Sequence, residues 1–139
     1  MITLSAADVM SAPVETVTAS TTLRTVAERM TESGVGSVVV TNEAEEPTGI
    51  VTRTDLVAAI ATDDIAPADP VSRFVGGPLE TVRPGTDLQD AAARMRESGI
   101  KHLPVVDEEG ALVGMVTTSD LLGYVSRAAI PRDGPSGED

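Results

Sequence analysis

The chain contains no cysteine, so disulfides, thiolate metal sites and cysteine nucleophiles are excluded. It contains one histidine, His102, which rules out a multi-histidine metal centre within one chain. Tryptophan is absent, and Phe74 and Tyr124 are the whole aromatic complement. Base stacking on aromatic platforms is therefore not available. No apolar run approaches the eighteen or so residues of a membrane helix. The first residues, Met1-Ile2-Thr3-Leu4-Ser5, show neither a basic start nor a long apolar stretch. A secretory signal is not expected, and the location is expected to be cytoplasmic. Neither a phosphate-binding P-loop nor a dinucleotide Gly-x-Gly-x-x-Gly occurs.

Positive charge is also scarce. Ten basic residues face 22 acidic ones across 139 residues, for a net charge of -12. Lys101 is the single lysine. Both halves of the chain are acidic, so the charge is not confined to a tail. Such a surface repels phosphate backbones and anionic lipid, which argues against nucleic-acid and membrane partners. An acidic, lysine-poor, Ala/Thr/Val-rich composition is similar to that of cytoplasmic proteins from salt-loving archaea, where salt screens self-repulsion.

The chain repeats itself. Shifted by 65 residues, Val9 to Leu56 matches the second half at 19 of 48 positions without a gap. Chance gives about three or four, so the chain is a duplication. Pro13 falls on Pro78, Arg29-Met30 on Arg94-Met95, Gly34 on Gly99, Gly49 on Gly114 and Asp55-Leu56 on Asp120-Leu121. Each unit is of a size at which a lone domain is marginal, so the two are expected to pack about a pseudo-twofold axis.

Within a unit the periods are readable. Leu23, Val26, Ala27 and Met30 follow a helical stripe capped by Thr21-Thr22 and ended by Gly34; Leu88, Ala91, Ala92 and Met95 repeat it before Gly99. The runs at 37–40 and 102–106 read as buried strands. Asn42 to Pro47 and Asp107 to Gly110 read as turns. Strands return at Ile50-Val51 and 113–116, and second helices start at Thr54-Asp55 and Ser119-Asp120. The expected fold is α/β, two tandem β-α-β-β-α units. Expected bounds are 5–62 and 71–128, with a linker over 63–70 and a disordered polar tail over 129–139.

Two copies of Gly-x-x-Thr-x-x-Asp, at Gly49-Ile50-Val51-Thr52-Arg53-Thr54-Asp55 and Gly114-Met115-Val116-Thr117-Thr118-Ser119-Asp120, carry a resemblance. With Ala7-Asp8-Val9-Met10 and Gly99-Ile100-Lys101-His102-Leu103-Pro104-Val105-Val106-Asp107, the chain resembles a CBS-domain pair (Bateman module) over residues 5 to 126. The resemblance implies clefts between the halves that bind AMP, ATP or S-adenosylmethionine, assembly as a homodimer, and regulation of an effector protein. It implies no required cofactor, no metal and no catalysis. In similar pairs within inosine-monophosphate dehydrogenases the chemistry belongs to a separate barrel of about 250 residues.

The motif has a physical logic. A strand ends at Thr52 or Thr117 and a helix begins, offering unpaired N–H groups and a positive dipole end to phosphate. Hydroxyls of Thr52, Thr54, Thr117 and Ser119 add donors. Asp55 and Asp120 are suited to accept from ribose hydroxyls. Ordinary helix capping accounts for the same residue types. The resemblance further implies an adenine wall of Ala12, Pro13, Val35 and Val38 beside Asp120, and of Gly77, Pro78, Ile100 and Leu103 beside Asp55. Lys101 and His102, whose counterparts Gly36 and Ser37 are uncharged, make the Asp120 cleft the expected phosphate site. Arg53 is a candidate charge for the Asp55 cleft. The competing reading is a dimerisation scaffold with empty clefts.

Overall fold

The structure, a computed structural model, describes residues 3–62, 65–75 and 79–129. The elements run α1 (Ala6–Val9), β1 (Thr16–Val17), α2 (Leu23–Ser33), β2 (Ser37–Thr41), β3 (Pro47–Thr52), α3 (Arg53–Ala61), a 3-10 turn at Val71–Arg73, α4 (Leu88–Ser98), β4 (His102–Val106), β5 (Leu112–Thr117) and α5 (Thr118–Ala129). Strands β1, β2 and β3 form one sheet, with β1 parallel and β3 antiparallel to β2. Strands β4 and β5 pair antiparallel in a second sheet.

The expected helices form for the expected reasons. The Thr22 hydroxyl accepts the Thr25 N–H at the start of α2. Gly34 and Gly99, both left-handed with φ 66° and 65°, end α2 and α4. Leu23, Val26 and Met30 of α2 pack on Val17, Val38, Val40 and Val51 of the first sheet. Ala91 and Met95 of α4 pack on Val82, Leu103, Val105 and Val116 of the second unit. Asn42 and Asp107 close the two hairpin turns in the same way, each Oδ1 accepting two backbone N–H groups.

The first strand of the second unit shrinks to one parallel bridge, Val82 with Val105. The cause is a single substitution in the repeat. Val39 donates its N–H to the Glu15 carbonyl, which extends β1. The residue 65 positions on is Pro104, which has no N–H to give.

Each unit is completed by the segment that leads into the other. Ser5 bridges Asp87, and Pro70 bridges Thr22. Ala6 donates to Thr86 and Ala7 to Pro84; Val71 donates to Thr21 and Ser72 to Ala19. These pairs map onto one another under the 65-residue offset, so the pseudo-twofold relation is reciprocal. The cores show the same exchange. Ala6 is fully buried with the second unit, and Val71 is fully buried with the first. Residues 65–70, read from the sequence as linker, hydrogen-bond along the start of α2: Leu23 donates to Asp69 and Arg24 to Pro67.

Candidate functional site

Alternation along the strands sorts every side chain to one of two faces. Val38, Val40 and Val51 face the helices of the first unit. Val39 is just as buried but lies outside that cluster, paired with Thr16 and Ile50. Ser37 and Thr52, paired with each other, share the face of Val39. In the second unit the same face carries His102, Pro104, Met115 and Thr117. The two units meet there: a Cβ built on Gly36 would stand 3.9 Å from His102 Nε2.

Thr52 and Thr117 end β3 and β5 on this inner face, and α3 and α5 start at the next residue. Thr52 and Asp55 form a reciprocal cap: the Asp55 N–H donates to the Thr52 hydroxyl at 3.1 Å, and the Thr52 N–H donates to Asp55 Oδ2 at 3.3 Å. Thr117 and Asp120 repeat it at 3.1 and 2.9 Å. Both motifs thus serve as helix caps, yet each cap uses only one oxygen of its aspartate. Asp120 Oδ1 also accepts from the Ser11 hydroxyl, at 3.3 Å. Asp55 Oδ1 has no partner among the described residues. Thr54 and Ser119 sit exposed in the first turns of α3 and α5, their hydroxyls unbonded among the described residues.

The leading segment runs antiparallel beside β5. Ser11 and Met115 exchange both backbone hydrogen bonds at 2.8 and 3.0 Å. Beyond Ser11, a cleft of about 710 Å3 is lined by Ala12, Pro13, Val14, Thr16, Thr41, Glu45, Leu112 and Val113. It lies between the first unit and the start of β5. From Val113 to Thr117 is about 13 Å at strand rise, so this cleft and the Thr117–Asp120 cap lie at opposite ends of β5.

Several sequence expectations are corrected. Val38 and Leu103, expected at the adenine, are 0% exposed and belong to the two helix-facing cores. Both are one residue out of step with the inner face. Val39 and Pro104 occupy the inward-facing positions and are buried as completely. Strict counting back from Thr52 and Thr117 through the register gives them. Ala12 and Pro13, expected beside Asp120, line the cleft at the other end of β5, whose lining includes neither Thr117 nor Asp120. Val35 is half-buried and Ile100 packs against the second core. Gly77 and Pro78 lie outside the described residues. Val14, Thr16, Thr41, Glu45, Leu112 and Val113 are cleft residues that the sequence reading missed.

The basic residues move as well. His102, expected with Asp120, is half-buried at Gly36 of the first unit. Desolvation holds its imidazole below the ordinary 6.5; the Asp55 carboxylate works against this, and Lys101 adds to it. The ring makes no hydrogen bond among the described residues. The carboxylate that acts on His102 is therefore Asp55, not Asp120. Lys101 is exposed, and its carbonyl accepts the Thr118 N–H at 3.0 Å. The Arg53 guanidinium donates to the Val35 carbonyl at 3.1 Å and lines the groove between α2 and α3, so it does not supply the Asp55 side.

With this geometry in place, similarity to known proteins becomes decisive. The family model described as CBS domain matches twice, over residues 6–62 and 71–127. The chain belongs to the CBS domain family. A relative from Methanopyrus kandleri, the uncharacterized protein MK0525, is 39% identical over 98 residues, covering 70% of this chain and 50% of that protein. The chain thus spans about half the length of that relative. Among solved structures, the CBS domain pair of protein MJ0100, in complex with 5'-methylthioadenosine and S-adenosyl-L-methionine, superposes with a TM-score of 0.84. It is 20% identical and covers 91% of this chain and 99% of that one. The cytosolic domain of the Mg2+ channel MgtE, in complex with ATP, superposes with a TM-score of 0.74 at 26% identity. That match covers 86% of this chain and 48% of that one. Among the described residues no helix is long and apolar enough to cross a membrane, and no cluster of His, Asp and Glu is arranged for a metal ion.

Proposed function

We propose that this CBS pair takes an adenosine-bearing ligand, such as AMP, ATP or S-adenosylmethionine, between its two units. Occupancy would change their relative setting, and a separate effector protein would read the change. The carrying observation is the doubled Thr-x-x-Asp cap on the inner face, which sets a carboxylate beside a helix N-terminus in each unit and engages only one oxygen of each in the cap. The ligands bound by the MJ0100 pair and the MgtE cytosolic domain support the chemical class. A thermal-shift screen tests it. An adenosine ligand at a hundred times its dissociation constant adds about 2.7 kcal/mol of stability. No shift with any adenosine compound turns the reading to the scaffold.

Assembly as a homodimer belongs to the same proposal. Leu56 is buried and Leu121 packs on the second core, but Val57, Ile60 and Leu122 are 61%, 63% and 61% exposed. Val125 lies outside the residues with described side chains. Val57 and Leu122 are equivalent under the repeat, so both units present an apolar residue at one place on their second helix. Beside the first, a groove of about 640 Å3 runs between α2 and α3. A second copy would cover these faces isologously. Light scattering at high salt is expected to give twice the monomer mass; a monomer there removes this part of the proposal.

A further inference from the structure

The two aspartates are not equally free. Asp120 is half-buried, with Oδ2 held by the Thr117 N–H at 2.9 Å and Oδ1 taken by the Ser11 hydroxyl at 3.3 Å. Asp55 is exposed, and among the described residues only its Oδ2 is engaged, by the Thr52 N–H. The repeat explains the difference. The residue 65 positions after Ser11 is Gly76, which has no side chain to donate. Ser11 is itself fixed: its backbone exchanges two hydrogen bonds with Met115, whatever its side chain does.

We propose that the Ser11 hydroxyl is a built-in competitor for the ribose at the Asp120 cleft, grading the two clefts so that the Asp55 cleft fills first. The proposal rests on the adenosine reading above. A ribose diol approaching Asp120 meets a carboxylate that holds the Thr117 N–H on Oδ2 and the Ser11 hydroxyl on one lone pair of Oδ1, and a ribose hydroxyl that takes that lone pair displaces Ser11. Binding then exchanges one O–H···O bond for another, and the gain is reduced by the bond given up. At Asp55 the corresponding oxygen has no partner among the described residues, and against these the ribose gives up only water. Ser11 thus sets affinity by position: it contacts no part of the ligand that it weakens, only the acceptor that the ligand needs.

Calorimetry with AMP in the Asp55→Ala background isolates the Asp120 cleft. There Ser11→Ala is expected to tighten AMP about three- to tenfold, the range of one ordinary hydrogen bond. Ser11→Thr, which keeps the hydroxyl, should bind as the parent does. With 2',3'-dideoxyadenosine monophosphate, which lacks both ribose hydroxyls, Ser11→Ala should give no gain. A general loosening of the leading segment would alter both ligands alike. AMP binding that is unchanged or weaker in Ser11→Ala overturns the proposal and leaves the adenosine reading standing. Absence of binding in the unmodified chain, with AMP, ATP and S-adenosylmethionine alike, overturns that reading and this proposal together.

Discussion

Asp55→Ala is expected to weaken AMP binding by about tenfold or more, and to cost more than Asp120→Ala. Sequence order alone supports the reverse, because Lys101 and His102 belong to the same unit as Asp120. The fold sends the His102 ring across to Gly36, where the carboxylate that acts on it is Asp55. A charge-assisted hydrogen bond is worth about 1.5–3 kcal/mol, which is roughly tenfold or more in affinity. Among the described residues the Asp55 side has the open carboxylate oxygen and the imidazole, and the Asp120 side has the Ser11 contact instead. With plain adenosine the gap between the two variants should narrow, since no phosphate meets the ring.

The same cleft supplies a proton readout. Burial, aided by Lys101, holds the His102 pKa low, so the ring is neutral near pH 7. A phosphate placed beside it favours the imidazolium and raises the pKa. The ligand-bound pKa then exceeds the free one, and AMP binding takes up a proton in the window between them. His102 is the only histidine, so its ring resonances in an NMR titration are unambiguous. AMP should move the titration midpoint upward and adenosine should leave it in place. Equal midpoints with the two ligands, or a greater loss in Asp120→Ala than in Asp55→Ala, would sink the assignment of the phosphate to this side.

Much of the fold was legible because the repeat doubled every signal. A Thr cap, a helical stripe and a terminal glycine recur at one offset, and α2 and α4 appear where that pattern puts them. The Thr-x-x-Asp caps were legible for the same reason. The parity of the inner strands was not. Val38, Val39 and Val40 are all buried, on both faces of β2, so the run carries no alternation to read. Val38 and Leu103 were consequently set one residue out of phase. The exchange of leading segments comes from the resemblance, which sets Ala12 and Pro13 beside Asp120, and not from covalent order, which does not say which unit a short segment packs against. Only long-range bonds such as Ser5 with Asp87 and Thr22 with Pro70 decide it. His102 obeys the same exchange: it lies between Ile100 and Leu103, on the strand that the resemblance sets beside Asp55, and its partner is chosen across the axis, not by its own unit.

The glycine of each Gly-x-x-Thr-x-x-Asp motif has its cause in that exchange, and Gly49→Ala should show it. A Cβ on Gly49 would lie 3.0 Å from the Val75 Cβ, and a Cβ on Gly114 would lie 2.9 Å from the Met10 Cγ. Val75 and Met10 are equivalent residues at the ends of the two leading segments, so each glycine is the bare patch on which the other unit's segment rests. The two sites should respond unequally. A Cβ is fixed to its backbone, so Gly49→Ala must push the Val75 main chain outward, an overpacking that costs about 1–3 kcal/mol. Met10 has three rotatable bonds and a soft thioether that can swing aside, so Gly114→Ala should cost less. Urea unfolding at constant high salt measures both. Val75→Gly, combined with Gly49→Ala, should recover part of the loss, because the two residues act on one contact. Equal stability of Gly49→Ala and the parent chain would remove the glycine's role as a docking patch. The consequence stops short of the clefts: Met10 precedes Ser11, but the Ser11 backbone exchanges two hydrogen bonds with Met115, so a Met10 side chain that swings aside leaves the Ser11 hydroxyl in place. Gly114→Ala, the milder change for stability, should therefore leave AMP affinity at Asp120 near that of the parent chain, unlike Ser11→Ala.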